Sequence, residues 1–201
     1  MKLDSPATPA QLSTKYGFRT LCVWLPDFPV QQLCCERPEL KTEACVLYAE
    51  SGNRSQVVIA SEEARRYGIC SGMPLAEAQA LVESAVFLPQ DIEAHLQALR
   101  SLAALCYLYS PFVGLELSND SHCLVLDISG CGPLFGDESS LARRLVVDLA
   151  ERGYFAHIAV ANTIGAAWAI ARYGHGTGSD RRLRSLPVEA LRVPDKLVSR
   201  L

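Results

Sequence analysis

Two amphipathic helices alternate with short apolar strands at the centre of this chain, and their order leaves few folds open. "DIEAHLQALRSLAALCYLYS" (91–110) places apolar residues at 92, 96, 99, 102, 103 and 106, one stripe of a helix begun by Asp91. The short strand "AVFLP" precedes it. Two strands follow, at about 112–117 and 122–128, joined by the polar turn "SNDS". "ESSLARRLVVDLAERG" (138–153) is a second amphipathic helix, closed by Gly153. "FAHIAVA" is a strand, and "TIGAAWAIARYG" a helix ending at Gly174. From residue 86 onward the order is β-α-β-β-α-β-α. With the early strand "TLCVWL" (20–25), this predicts an α+β (mixed α/β) fold with a split βαβ or ferredoxin-like sheet carrying helices on one face.

The segment between these parts reads as an insertion. Asp27 is the expected cap of a helix running to about Arg37, with Pro29 in its first turn and Pro38 ending it. "ACVLYA" and "QVVIAS" are strands of a hairpin turning at Gly52-Asn53. "EEARRYG" is a short helix stopped by Gly68, and "SGMPLAEAQALV" begins another. "HGTGSDRR" reads as a flexible linker, after which new helical material starts and the chain stops inside it. A C-terminally incomplete protein or a fragment is therefore expected. The expected boundaries are a disordered arm (1–19), a sheet domain (20–30 and 85–174), an inserted subdomain (31–84), and a linker with the start of a helical unit (175–201).

No apolar stretch approaches the ~20 residues a membrane-spanning helix needs, and residues 1–19 lack the apolar core of a secretory signal. A cytoplasmic protein with no membrane partner is expected. The eight cysteines include no C-x-x-C pair, and no histidine lies near a cysteine pair at zinc-site spacing, so small buried hydrophobes are expected. Net charge is −3 over 201 residues. Residues 181–201 nevertheless hold six cations, Arg181, Arg182 and Arg184 among them, against two acids. That segment suits either a phosphate backbone or a solvated surface helix.

"HCLVLDISGCGPLFG" (122–136) raises the question of a metal site, because a carboxylate, Asp127, closes an apolar strand. His122 and Cys123 point to opposite faces of that strand and cannot ligate one metal. Gly130 and Gly132 form a turn without the signature of a phosphate loop. Trp24 and Trp168 read as core, and His95 and His157 as surface or satisfied core residues.

Three stretches carry a family resemblance. "VVIASEEARRYGICSGMPLAEAQAL" (57–81) resembles the fingers segment of Y-family (DinB/UmuC-type) translesion DNA polymerases, with the specific string A-S-x-E-A-R-x-x-G-x-x-x-G-M-P. "SPFVGLELSNDSHCLVLDISGCGPLFG" resembles their palm hairpin, and "SLPVEALRVPDKLV" the start of their thumb. "LCVWLPDFPVQQL" sits where their first catalytic strand belongs. The forms "WLPDFP" and "LVLDISGC-x-x-LFG" are more similar still to a polymerase-like subunit of a bacterial mutagenesis cassette. The resemblance implies a ferredoxin-like palm, an inserted fingers subdomain and the start of a helical thumb.

It also implies a site, which this sequence lacks. Two-metal phosphoryl transfer needs carboxylates to clamp the ions. The family's strand-one Asp falls on Trp24, and its Asp-Glu pair on His122 and Cys123. An indole binds no Mg²⁺, and imidazole and thiol are poor ligands for a hard cation. The sugar-discriminating aromatic falls on Pro29, the triphosphate Tyr on Glu62, and the phosphate-binding Lys at or near Gly165. Arg65 stays, either as a residual nucleotide-binding contact or as a surface i,i+3 partner of Glu62. Of the remaining acids, Asp27 is expected to be occupied as a cap. Glu116 and Asp120 lie across the hairpin turn, and Asp127 resembles a structural Asp.

The expected function is thus a catalytically inactive polymerase-like adaptor in translesion synthesis, DNA repair and damage-induced mutagenesis, without a cofactor. DNA binding is expected through Arg181, Arg182 and Arg184. The resemblance further implies an error-prone C-family polymerase, a RecA-like accessory protein and the sliding clamp as partners. The alternative is an active translesion DNA polymerase using Mg²⁺. A plain interaction domain that no longer meets DNA is a third reading.

Overall fold

The computed structural model describes residues 17–52, 54–118, 121–174, 186, 187 and 190. The strands are β1 (Thr20–Trp24), β2 (Cys45–Ser51), β3 (Arg54–Ala60), β4 (Val86–Pro89), β5 (Val113–Ser118), β6 (Ser121–Asp127) and β7 (His157–Ala161). The helices are α1 (Phe28–Glu36), α2 (Glu62–Arg66), α3 (Leu75–Leu81), α4 (Ile92–Cys106), α5 (Glu138–Glu151) and α6 (Ile164–Tyr173). They fall into two compact units, one of residues 1–26, 101–150 and 156–201, the other of residues 27–100 and 151–155.

The first unit holds a four-stranded sheet in the order β5-β6-β1-β7, each neighbouring pair antiparallel. That is the ferredoxin-like order read from the sequence, with one exchange of partner. β4 was expected in this sheet, but it pairs in parallel with β2 in the second unit. The Val86 N–H donates to the Ala44 carbonyl and the Gln90 N–H to the Tyr48 carbonyl, which fixes both ends of β4 there. Segment 85–100 accordingly groups with the inserted unit, and α4 passes from one unit to the other at Arg100–Ser101.

β1 reads as an unbroken apolar run because both of its faces are buried. Leu21, Cys22 and Val23 are fully enclosed. Helices on one face alone were expected, yet α6 covers the second face. Its Ala167, Trp168, Ala169, Ile170 and Ala171 pack with Cys22, Cys123, Ala159 and Ala161. Small side chains on the strands let this alanine-rich helix lie close to the sheet. Thr163 caps α6, its Oγ1 accepting the Ala166 N–H at 3.2 Å. The opposite face carries Leu21, Val23, Leu124, Leu126 and Ile158, all buried, and Leu141, Leu145 and Leu149 are the buried stripe of α5.

The second unit is built on the sheet β3-β2-β4. The β2–β3 hairpin turns at Gly52, whose φ is +60°. Val46, Val57, Ala60, Ala64, Ile69, Ala78 and Val82 form its core. Ser61 ties three segments together. Its Oγ accepts the Ala64 N–H at 3.2 Å, capping α2, accepts the Cys45 N–H at 3.0 Å, and lies 3.5 Å from the Glu43 carbonyl. Gly68 closes α2 with φ +88°, a left-handed conformation that disfavours any residue with a Cβ.

Asp27 occupies the N-cap position of α1 but does not cap it with its side chain. Its backbone is left-handed, at φ 48° and ψ 35°, so the carboxylate is aimed away from the first-turn N–H groups. Pro74, expected in the first turn of α3, is its N-cap residue.

All eight cysteines are free thiols. Cys22, Cys45, Cys106, Cys123 and Cys131 are buried, as expected of small hydrophobes, but Cys70 is exposed and Cys34 and Cys35 are half-buried. Burial pushes the Cys45 thiol up to about 11 and the Cys106 thiol up to about 12. Both are protonated and unreactive at neutral pH. No helix among the described residues is long and apolar enough to cross a membrane.

Candidate functional site

Directly opposed residues of an antiparallel ladder share one face of the sheet. The register pairs Glu116 with Cys123, Cys123 with Trp24, and Trp24 with His157. These four side chains therefore form one row across β5, β6, β1 and β7, on the face covered by α6. Trp24 and Cys123 are two of the three positions where the resemblance places metal carboxylates. His122, the third, follows the strand alternation to the other face, and its carbonyl accepts the Leu25 N–H at 3.0 Å.

Aromatic rings and a guanidinium fill the row's β1–β7 end. Trp24 stacks on His157 with ring centroids 5.3 Å apart and planes 23° from parallel. The Arg172 guanidinium carbon, carried on α6, lies 5.7 Å from the Trp24 ring centroid, 5.5 Å from that of Trp168 and 5.7 Å from that of Tyr173. Trp168 and Tyr173 meet edge to face at 6.0 Å. A cation held by three ring faces is attracted by each ring's quadrupole. Trp24 is thus a half-buried stacking partner inside the protein rather than plain core. His157 finds its partner across the sheet, where local sequence gave none.

The donor set does not fit Mg²⁺. Cys123 is fully buried among Cys22, Ala159 and the α6 alanines. Among the described residues no group of three or more His, Cys, Asp or Glu side chains is placed to hold a metal ion. Glu116 is the surprise. Hairpin order had set it aside as lying across the turn, but the register puts it directly opposite Cys123, on the same face as Trp24. The hairpin turn alone does not say which residue meets which; pairing Ser118 with Ser121 fixes it. Asp127, by contrast, is structural: its Oδ1 accepts the Ser129 N–H at 2.9 Å in the turn after β6.

Beyond the α6 cover, the same face opens into a groove of about 810 Å³ over β5 and β6. Exposed Phe18, Tyr107, Phe112 and Ile164 line it, together with Glu116 and Asp127. The Thr20 hydroxyl on its floor is buried with no hydrogen-bond partner among the described residues.

In the second unit, Arg65 is bonded within the protein. It donates from Nη2 to Asp27 Oδ2 at 2.7 Å and from Nη1 to the Ala60 carbonyl at 2.6 Å. The i,i+3 pair with Glu62 does not form, because Glu62 pairs one residue on, with Arg66 at 2.7 Å. Asp27, read as a helix cap, is instead the partner of Arg65. Arg181, Arg182, Arg184 and Asp120 lie outside the described residues. Pro29 is buried in the first turn of α1, and Gly165 opens α6.

A ferredoxin-like palm with a three-stranded fingers unit inserted after its first strand defines a polymerase-like class of protein. The chain belongs to the impB/mucB/samB family, whose model matches residues 23–172. It is 36% identical over 140 residues to Protein ImuB of Caulobacter vibrioides, covering 67% of this chain and 30% of that one. It is 30% identical over 150 residues to DNA polymerase IV of Dehalococcoides mccartyi, covering 74% and 38%. Among solved structures, DinB from Sulfolobus solfataricus superposes with a TM-score of 0.75 at 21% identity, over 91% of this chain and 56% of that one. An insertion ternary complex of Dbh DNA polymerase superposes with a TM-score of 0.69 at 23% identity, over 80% and 48%. The chain spans about a third of the length of the curated relatives it matches.

Proposed function

We propose that this protein is a catalytically inactive Y-family polymerase-like adaptor of DNA damage tolerance and damage-induced mutagenesis. It holds primer–template DNA while a partner polymerase performs the chemistry. The observation that carries this reading is the row on the sheet, where Trp24 and Cys123 stand in place of metal carboxylates and Arg172 sits in a cage of three rings. A guanidinium beside Trp24 repels a second cation, and one carboxylate, Glu116, is too few for a two-metal clamp. The likeness to ImuB supports the adaptor role and the partners that go with it: an error-prone C-family polymerase, a RecA-like accessory protein and the sliding clamp.

Primer extension on damaged template with Mg²⁺ or Mn²⁺ tests the inactive reading. No product is expected, and template-dependent extension by the purified protein overturns it in favour of an active translesion polymerase. Binding to primer–template DNA should weaken steeply with salt and weaken further in Arg181→Ala and Arg184→Ala. Absence of salt-dependent binding supports an interaction domain that does not meet DNA.

A further inference from the structure

β5 lies at the edge of the four-stranded sheet. Its main-chain groups alternate between β6 and the open side, and two bonds fix which is which. The Asp127 N–H donates to the Phe112 carbonyl at 3.1 Å, so residues 112, 114 and 116 bond β6. On the other side of β6 the Leu25 N–H donates to the His122 carbonyl at 3.0 Å, which turns residues 122, 124 and 126 toward β1 and leaves 123, 125 and 127 for β5. The two observations agree. Val113, Leu115 and Leu117 therefore aim their N–H and C=O groups out of the sheet. Those of Val113 and Leu115 have no hydrogen-bond partner among the described residues. An open edge of this kind is a template for a further strand. The three-stranded sheet closes or blunts its edges. Val57 of β3 exchanges main-chain bonds with Gly72 and Met73, and β4 has only four residues and ends in Pro89. β5 has six residues, with no proline, lysine or arginine and no bulge in its ladder.

We propose that β5 pairs with β5 of a second copy of this chain, antiparallel about a two-fold axis at Leu115, so that two four-stranded sheets become one continuous sheet. The strand's own residues select this register. Centring on Leu115 sets Leu115 against its counterpart and Val113 against Leu117 of the second copy, and every outward-facing residue exchanges both of its bonds. The same register sets Glu116 against Gly114 of the second copy in a closely spaced, non-hydrogen-bonded pair, where a glycine leaves room for the longer side chain. Centring one residue further on opposes two Glu116 carboxylates, which repel. Centring one residue back runs Leu117 against Pro111, which has no N–H to give. Val113 and Leu115 are half-buried at the open edge, and pairing takes more of their apolar surface out of water. The proposal does not depend on whether the protein is catalytic.

The test is sedimentation velocity of the 201-residue chain over a concentration series. A reversible monomer–dimer equilibrium is expected. Gly114→Glu sets a like-charged pair on each side of the axis and should weaken the dimer about tenfold. Gly114→Lys sets an opposite-charged pair in the same two places and should strengthen it. A Cβ at Gly114 meets nothing nearer than the Val125 carbonyl oxygen at 3.8 Å, so both variants fit the monomer. Leu115→Pro removes an N–H that the ladder to β6 does not use, and should abolish the dimer. Urea unfolding reports whether that variant is folded, and the Gly114 variants decide the matter if it is not. A monomer at every concentration overturns the proposal. So does a dimer that responds alike to Gly114→Glu and Gly114→Lys, or one that survives in folded Leu115→Pro.

Discussion

Two stretches that align with the same family tell opposite stories. In the three-stranded unit the string from Ala60 to Pro74 follows the family's motif, and nearly every matching residue has a structural task. Ser61 joins α2 to β2, Gly68 and Gly72 take left-handed φ values, and the Met73 carbonyl accepts the Val57 N–H at 2.9 Å. In the four-stranded unit the row Glu116–Cys123–Trp24–His157 departs from the family's pattern at both carboxylate positions it contains, and the sheet around it is intact. The residues that match are those the backbone needs. Those that differ stand where the resemblance places metal carboxylates, and here Cys123 packs in the core while Trp24 stacks with His157 beside Arg172.

The strongest way to break this comparison is to put an acid back. Cys123 is fully buried against small side chains. Cys123→Glu adds volume and an unpaired charge there, at an expected cost of about 3 kcal/mol or more. Urea unfolding measures it. A cost below about 1 kcal/mol shows that the row is still an open site rather than packed core. The matching region should be nearly as sensitive, for a different reason. Ser61→Ala removes a cap and leaves the buried Cys45 N–H without its acceptor, an expected loss of about 2 kcal/mol in the same assay.

How far the sequence foretold these features follows from the range of the forces involved. The strands, the hairpins, the cap at Asp91 and the stops at Gly68 and Gly153 are local, and each was legible from a few neighbouring residues. The partner of β4 was not. "VFLP" carries no mark that says which sheet it joins, and its choice of β2 depends on segments forty residues away. The resemblance singled out Trp24, His122 and Cys123, and the register adds that Trp24 and Cys123 share one face of the sheet. The cage around Arg172 was not legible, because it needs α6 to be seated against Trp24 of β1, far away in the sequence. The pairing of Arg65 with Asp27 across 38 residues was hidden for the same reason, as was the burial of His95.

The Arg172 cage gives a prediction of intermediate size. Arg172→Ala should destabilise the protein by about 1–2 kcal/mol, since three ring contacts are lost from a partly desolvated cation. Arg172→Lys should recover part of this. Tryptophan fluorescence of the folded variant should shift to the red as Trp24 and Trp168 gain water. An unshifted spectrum means the rings close over the gap and the guanidinium is not what holds them.

His95 makes a smaller, pH-dependent contribution. Its pKa is lowered in the folded chain by burial, so between the folded and unfolded values the unfolded chain binds more protons. Stability should therefore be full above the ordinary histidine pKa of about 6.5 and fall as pH drops below it. His95→Gln should flatten that part of the profile in urea unfolding across mildly acidic pH. An unchanged slope places the titration elsewhere.

The smallest effect sharpens the comparison most, because Arg65 belongs to the matching string and its guanidinium is bonded to Asp27 and Ala60. Its ion pair with Asp27 joins two side chains that are each more than a third exposed, so a double-mutant cycle of Arg65→Ala with Asp27→Asn should give a coupling under about 1 kcal/mol. Salt should screen it. Arg65→Ala alone should cost more than Asp27→Asn, because it also removes the bond to the Ala60 carbonyl. If Arg65 has kept a nucleotide role, Asp27 competes with phosphate for the same guanidinium, and Asp27→Asn raises the affinity for dATP in an Arg65-dependent way. The structure favours the other outcome. Both ends of the guanidinium are committed to Asp27 and Ala60, and Glu62 nearby adds a negative charge, so dATP affinity should not respond to either substitution. A rise in Asp27→Asn would move Arg65 out of the group of residues retained for the fold and give it a nucleotide contact.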